Sequence, residues 1–305
     1  KAGDTVGLIN PAGATFQPDD VAVAREMMAA LGLGLKTGAH LLDRHGYLAG
    51  TDRNRADDIN SMFADPEVKA ILTLRGGWGC NRLLDLIDYK TVSKHPKILM
   101  GYSDITSLLL ALHAKTGLVT FHGPVGTSTW NQFSTNYVQK LLFNAETFSM
   151  ENPSDTGDNL AQTEDRVLTI NGGTAKGRLL GGNLSVLTAM VGSGYLPDFR
   201  GNILFVEDVG EEIYRVDRML TQLKLAGILE QLSGFIFGRC SDCDPGNGYA
   251  SLTLQEVFAD HIKPLGIPAW YGSMIGHMEK KFTIPLGTEA SIDADAGRIT
   301  LLEPA

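Results

Sequence analysis

Three apolar runs constrain this chain more than any other feature: Thr5 to Asn10, Val68 to Leu74 and Ile98 to Gly101. The stretches between them carry apolar residues at helical spacing. Pro18-Asp19-Asp20 starts the first helical stretch, with Val21, Val23, Met27, Met28 and Leu31 on its stripe. Thr51 to Ala64 reads as a second helix, with Asp52, Arg53, Asn54 and Arg55 on its early turns, and Asn81 to Ile87 resumes the periodicity. Strand, helix, strand, helix, strand needs crossover connections, so a mostly parallel sheet flanked by helices is expected. In such α/β sheets functional groups gather where the C-terminal ends of strands meet their loops.

Two of those strand ends are unusual. Val68 to Leu74 runs directly into Arg75-Gly76-Gly77-Trp78-Gly79. Ile98 to Gly101 runs into Tyr102-Ser103-Asp104, and Ser107 to His113 then continues as an apolar helical pattern. That is the layout of a nucleophile elbow, in which a tight strand-to-helix turn pushes a serine hydroxyl out at the top of a sheet. The positive end of the outgoing helix would lie beneath Ser103, and the Asp104 N–H would be placed to hold a developing oxyanion. The match to G-x-S-x-G is partial, because Ile105 stands where the second glycine would be. The competing reading makes Ser103 or Asp104 a simple helix cap. This segment alone leaves both open.

At 305 residues the chain exceeds one typical core, so two domains are expected. A polar, breaker-rich passage from Asn144 to Gly172 holds the boundary. The expected division is an N-terminal α/β domain over 1–155 and a smaller C-terminal domain over 156–305. The second contains strand-like Gly177 to Leu180 and Asn202 to Val206, a helix opening at Gly181-Gly182-Asn183-Leu184, and another from Ile213 to Leu225. Its tail, with Lys281 to Ile284, Ala290 to Ile292 and Arg298 to Leu302 broken by Gly287 and Asp295-Ala296-Gly297, reads as partly antiparallel β structure.

A formal net charge of −9 argues against a nucleic-acid partner and against docking on an anionic membrane. No apolar run approaches the roughly 20 residues of a membrane-spanning helix. The chain opens at Lys1-Ala2-Gly3-Asp4 without Met or a signal-peptide pattern, so it is expected to be trimmed, and export stays open. Cys80, Cys240 and Cys243 cannot all pair within one chain. Cys240-x-x-Cys243 lacks a second Cys/His pair to complete a zinc site, so two ordinary thiols in a loop are expected and no metal.

A nucleophilic serine needs a base and a group to orient it. Of seven histidines, His122, shortly after the elbow helix, and His277, in Gly276-His277-Met278, are the candidates; the others sit in ordinary contexts. Glu207 terminates the apolar run Ile203 to Val206, which would set a carboxylate at a strand's C-terminal end. With Asp208, Glu211 and Glu212 nearby, it could equally be a helix N-terminal acid.

Taken together, Arg75-Gly76-Gly77-Trp78-Gly79, Gly101-Tyr102-Ser103-Asp104, Gly181-Gly182-Asn183-Leu184, Phe205-Val206-Glu207-Asp208 and Gly276-His277 resemble the serine LD-carboxypeptidases. This family includes murein tetrapeptide carboxypeptidases and the microcin C7 self-immunity peptidases. The resemblance spans nearly the whole chain. It implies a triad with Ser103 as nucleophile, His277 as general base and Glu207 orienting the base, in a cleft between the two domains. The Gly77 and Asp104 N–H groups are the candidate oxyanion hole, worth roughly 3–4 kcal/mol per donor. Trp78 is a candidate substrate wall, Gly76 lets backbone approach the substrate, and Arg75 either pairs with the terminal carboxylate or shapes the loop.

The implied reaction removes terminal D-Ala from a peptidoglycan stem tetrapeptide in cell-wall recycling. It needs no metal or organic cofactor. A cytoplasmic homodimer is the implied setting. The self-immunity relatives instead cleave a peptidyl-nucleotide, and Trp130 is a candidate for stacking on its base. A wall-peptide binding protein without turnover would lack a triad member, and none is lacking. A nucleotide-binding oxidoreductase needs a third glycine where Arg82 stands, and no P-loop sequence occurs.

Overall fold

Alternating apolar strands and helices build the first of two units seen in the computed structural model, which describes residues 1–17, 19–243 and 251–305. Unit one comprises 1–144, 194–197 and 283–286; unit two comprises 145–193, 198–282 and 287–305.

Among the described residues of unit one, strands β1 (Thr5–Ile9), β2 (Gly34–Thr37), β3 (Val68–Thr73), β4 (Ile98–Gly101), β5 (Thr120–His122) and β12 (Ile284–Leu286) form one sheet. Its order is β12-β5-β4-β3-β1-β2, with every pair parallel except β12 on β5. The helices are α1 (Asp19–Ala30), α2 (Asp52–Ala64), α3 (Tyr89–Lys94), α4 (Thr106–Thr116) and α5 (Gln132–Val138). Pro18, the expected opener of α1, lies outside the described residues. Thr51 caps α2 by accepting from the Asn54 N–H. Leu108 to Leu112 of α4 are fully buried all round, which marks a core helix and not an amphipathic surface one. The periodicity at Asn81 condenses to a single 3₁₀ turn, Cys80–Leu83.

Unit two is built on a mixed sheet of order β6-β14-β13-β8-β9-β10-β11-β7. Its strands are β6 (Ser149–Met150), β7 (Leu168–Asn171), β8 (Thr174–Asn183), β9 (Ile203–Val209), β10 (Gly234–Ser241), β11 (Ala269–Tyr271), β13 (Glu289–Asp293) and β14 (Arg298–Leu301). The central run β8-β9-β10-β11 is parallel and the flanks are antiparallel. Helices α6 (Leu184–Ala189), α7 (Ile213–Leu225) and α8 (Leu254–His261) accompany it. Ile203 to Val206 and Phe235 to Phe237 are completely buried, as a central parallel strand requires. At Gly181 of β8 the φ is 150°, and a Cβ would run into the Phe205 carbonyl, so only glycine lets β8 lie this close to β9.

Two expectations change here. Cys240 and Cys243 are not free thiols but are joined by a disulfide at the end of β10, with Cα atoms 5.3 Å apart. Neither needs a partner elsewhere in the chain, because a one-turn spacing suffices once the strand ends in a tight bend. Of the segment Lys281 to Ile284, only Ile284 is strand, and it pairs in the first sheet, whereas β13 and β14 form the expected antiparallel hairpin.

Candidate active site

The turn after β4 is built as an elbow. Ser103 has φ 66°, a left-handed conformation that costs a non-glycine residue of order 1–3 kcal/mol. Residues Ser103–Ile105 form a 3₁₀ turn that leads straight into α4. Gly101 is required because a Cβ there would meet Thr73 Oγ1 and, at 2.9 Å, Ile105 Cγ2. That contact also explains the departure from G-x-S-x-G. Ile105 has φ −63°, so its position asks for no glycine, and its side chain packs under Gly101 instead. The Asp104 carboxylate does not cap α4. It accepts from the Cys80 N–H at 2.8 Å, at the end of the glycine loop that follows β3.

That loop lies against the serine. A Cβ on Gly76 would sit 2.8 Å from Ser103 Cβ and 3.0 Å from its Oγ. Gly77 has φ 137°, and a Cβ there would be 2.7 Å from the Gly13 backbone. The Gly13 N–H donates to the Gly76 carbonyl at 3.3 Å. Because the peptide is trans, the Gly77 N–H points the opposite way, away from Gly13. Among the described residues neither the Gly77 nor the Asp104 N–H donates to another protein group. Arg75 shapes the loop: its Nε donates to the Gly76 carbonyl and its Nη1 to the Ala14 carbonyl, at 3.3 and 3.2 Å. Trp78 is 63% exposed and stands edge-on to Tyr47, with centroids 6.1 Å apart.

Unit two carries the other pair. Glu207 is fully buried on β9, and its Oε2 lies 2.7 Å from His277 Nδ1. The strand runs on to Val209, so Glu207 sits within β9 instead of ending it, and the helix-terminal reading fails because α7 begins only at Ile213. Gly276, at φ 125°, brings the chain so close that a Cβ would lie 2.7 Å from Glu207 Oε2. The His277 carbonyl accepts from Ser241 Oγ at 3.1 Å. With Nδ1 engaged by a carboxylate, the neutral imidazole keeps its proton there and presents Nε2 as a base.

A second layer holds Glu207. Asn183, the cap of α6, donates from Nδ2 to Glu207 Oε1 at 3.3 Å and to Asp208 Oδ1 at 3.0 Å. Its Oδ1 accepts from the Val186 N–H and Ser185 Oγ, which fixes the amide's orientation. Burial, with Glu207's charge beside it, pushes the Asp208 carboxyl up to about 7. Lys281, 5% exposed, is lowered by burial to about 8, with the Glu207 charge opposing that fall. Asp208 therefore keeps a proton in the folded state that the unfolded chain releases near 3.8. Its contribution to stability falls as pH rises from about 4 toward about 7. The thermal midpoint of the wild type should decline across that window more steeply than that of Asp208→Asn. Parallel curves for the two proteins would refute this origin.

His122 is buried on β5 with its ring against Tyr102, at 6.0 Å between centroids, while Glu207 is paired with His277. Sequence patterns give no sign that the Arg55, Asp104, Asp208 and Lys281 side chains are buried. All four are charged residues that become buried, and linear spacing carries no signal of that.

A strained serine turn beside a glycine loop, and a buried carboxylate on a histidine, are the parts of a serine hydrolase. The model of the LD-carboxypeptidase N-terminal domain matches residues 6–123, and that of the LD-carboxypeptidase C-terminal domain matches residues 176–292. The chain belongs to the LD-carboxypeptidase family and is a peptide hydrolase. It is 40% identical to the probable murein peptide carboxypeptidase of Bacillus subtilis, over 95% of this chain and 89% of that protein. To the murein tetrapeptide carboxypeptidase of Pseudomonas aeruginosa it is 32% identical, over 95% and 93%. The solved muramoyltetrapeptide carboxypeptidase from Oxalobacter formigenes superposes with a TM-score of 0.81 at 30% identity, covering 97% of each chain. The microcin C7 self-immunity protein MccF in complex with glutamyl sulfamoyl guanosine gives 0.89 at 28%, covering 99% of this chain and 97% of that one.

Proposed function

We propose that the chain removes the terminal D-Ala from peptidoglycan stem tetrapeptides, with Ser103 as nucleophile, His277 as general base and Glu207 as the group that orients it. The observation that carries this reading is the fully buried Glu207 carboxylate 2.7 Å from His277 Nδ1, which leaves Nε2 to take a proton. Ser103 Oγ attacks the carbonyl before D-Ala and His277 Nε2 accepts the hydroxyl proton. The Gly77 and Asp104 N–H groups hold the resulting oxyanion. His277 returns the proton to the departing D-Ala nitrogen, leaving an acyl-serine. Water, activated by the same imidazole, then releases the tripeptide.

Arg75 spends two donors on loop carbonyls and offers its outer edge to the substrate's terminal carboxylate. Trp78 and Gly76 form the adjoining substrate wall. The Ser103 domain corresponds to about 1–155 and the acid–base domain to about 156–305. The setting is murein recycling by a cytoplasmic homodimer.

The likeness to MccF supports a second reading, cleavage of a peptidyl-nucleotide. Trp130 does not favour it, because its indole Nε1 donates to the Val125 carbonyl at 2.9 Å and so is committed to its own loop. The test is competition between substrates. Free D-Ala should appear from the tetrapeptide at a kcat/KM at least about tenfold above that for a peptidyl-nucleotide, a 1.4 kcal/mol preference. The reverse ranking would replace the first reading by the second.

A further inference from the structure

We propose that Arg55 and Asp104 form a buried positioning pair that locks the Gly76–Gly79 loop in the shape from which the Gly77 and Asp104 N–H groups meet the oxyanion. The proposal rests on the serine mechanism above and adds to it two side chains that touch no substrate.

Arg55 sits on α2 and is 1% exposed. A guanidinium taken out of water costs several kcal/mol unless its donors are satisfied, so its partners indicate what it is there to hold. Nη1 donates to the Pro11 carbonyl at 2.5 Å and the Gly79 carbonyl at 3.1 Å, and Nη2 to Asp52 Oδ1 at 2.6 Å. Pro11 begins the loop after β1, and Gly79 closes the loop after β3. Asp104, in the turn after β4, is 6% exposed. Its carboxylate accepts from the Cys80 N–H, and the backbone N–H groups beside it together with Arg55's charge oppose the upward push of burial.

The consequence is geometric. The Gly79–Cys80 peptide is gripped on both sides, its carbonyl by Arg55 and its N–H by Asp104. The Gly76–Gly77 peptide is gripped at its carbonyl by Gly13, two residues beyond the Pro11 carbonyl that Arg55 also holds. Both ends of the loop therefore trace back to one guanidinium. Position 79 accepts only glycine: its φ is 97°, and a Cβ would meet Leu48 Cδ2 at 2.5 Å and Arg55 Nη1 at 3.2 Å. Three strand-end loops, one of them carrying Ser103, are joined through side chains that face away from solvent.

The test uses Asp104→Asn, Arg55→Lys and Arg55→Met in the full-length chain. Asp104→Asn keeps the volume but replaces one acceptor oxygen by a donor. Arg55→Lys keeps the charge but cannot span two carbonyls as a fork. Expected is a fall in kcat of about 100-fold for Asp104→Asn and Arg55→Met, the order of effect a misplaced catalytic group brings. KM should stay within about threefold, because the lost interaction is made only in the transition state. Affinity for a boronic-acid mimic of the tetrahedral intermediate should fall in parallel with kcat/KM, and Arg55→Lys should recover part of both. If the variants keep kcat within about twofold and the mimic still binds, the pair is structural only and the proposal is wrong. Loss of thermal stability with unchanged kcat in the folded protein would overturn it in the same way. If Arg55→Met does not fold, Asp104→Asn and Arg55→Lys still decide. Should Ser103→Ala retain turnover, the serine mechanism itself fails, whatever these variants do.

Discussion

Replacing Ser103 with alanine is expected to lower D-Ala release from the tetrapeptide by about a million-fold, while substrate binding stays close to normal. The magnitude is that of deleting the nucleophile in a serine hydrolase, where the remaining acceleration comes from oxyanion donors and binding alone. Structural damage should be small. Alanine relieves nothing at φ 66° and removes a single oxygen, while the Gly101, Ile105 and Gly76 contacts that shape the turn stay in place. An enzymatic assay for free D-Ala measures the rate, and calorimetric titration of the alanine variant with intact tetrapeptide measures binding. Turnover within a hundredfold of wild type would remove Ser103 from the mechanism, because no nearby hydroxyl is placed on a comparable turn among the described residues.

Glu207→Gln is expected to cost about 10⁴ in kcat, with little change in KM. The reason is a proton on the wrong nitrogen, not a displaced ring. Asn183 Nδ2 donates to Oε1 of residue 207, so a glutamine turns its own oxygen toward Asn183 and its NH₂ toward His277. Nδ1 must then accept, and the imidazole proton moves to Nε2, where it blocks abstraction of the serine proton. The ring keeps its place because Gly276 and the Ser241 bond to the His277 carbonyl do not change. Stopped-time assays with saturating tetrapeptide measure the loss. A tenfold effect or less would mean that the 2.7 Å contact is structural and that another group orients the base.

Much of this site is legible in the sequence because strand ends leave marks. An apolar run that stops at Gly101 before Ser-Asp, another that stops at Gly76-Gly77, and an acid pair directly after Ile203 to Val206 each break a simple pattern. What linear spacing hides follows from burial. Glu207 reads as the end of a strand, yet β9 carries both acids inward before it stops at Val209, because Asn183, Ser185 and the Val209 N–H satisfy them. Arg55 occupies a helix turn rich in Asp, Arg and Asn that looks solvated, and nothing in spacing shows that its guanidinium turns inward toward two carbonyls. Cys240 and Cys243 read as thiols so long as pairing is sought at long range, whereas the bond closes over three residues. Trp130 could stack or pack by sequence alone, and what the structure adds is the bond from its Nε1 to the Val125 carbonyl.

Strand β12 joins a late segment of this sequence to a sheet built from its early strands. Residues 284–286 pair with Thr120 to His122, immediately beside the strand that delivers Ser103, although the second family model, matching 176–292, contains them. Until residues 284–286 are made, the sheet of unit one has an open edge at β5. That edge is a template for pairing with other chains until the closing strand arrives. The serine-bearing sheet must be kept out of such encounters while the chain between β5 and β12 is made. Splitting the two matched halves into separate polypeptides would put the missing strand on the wrong fragment.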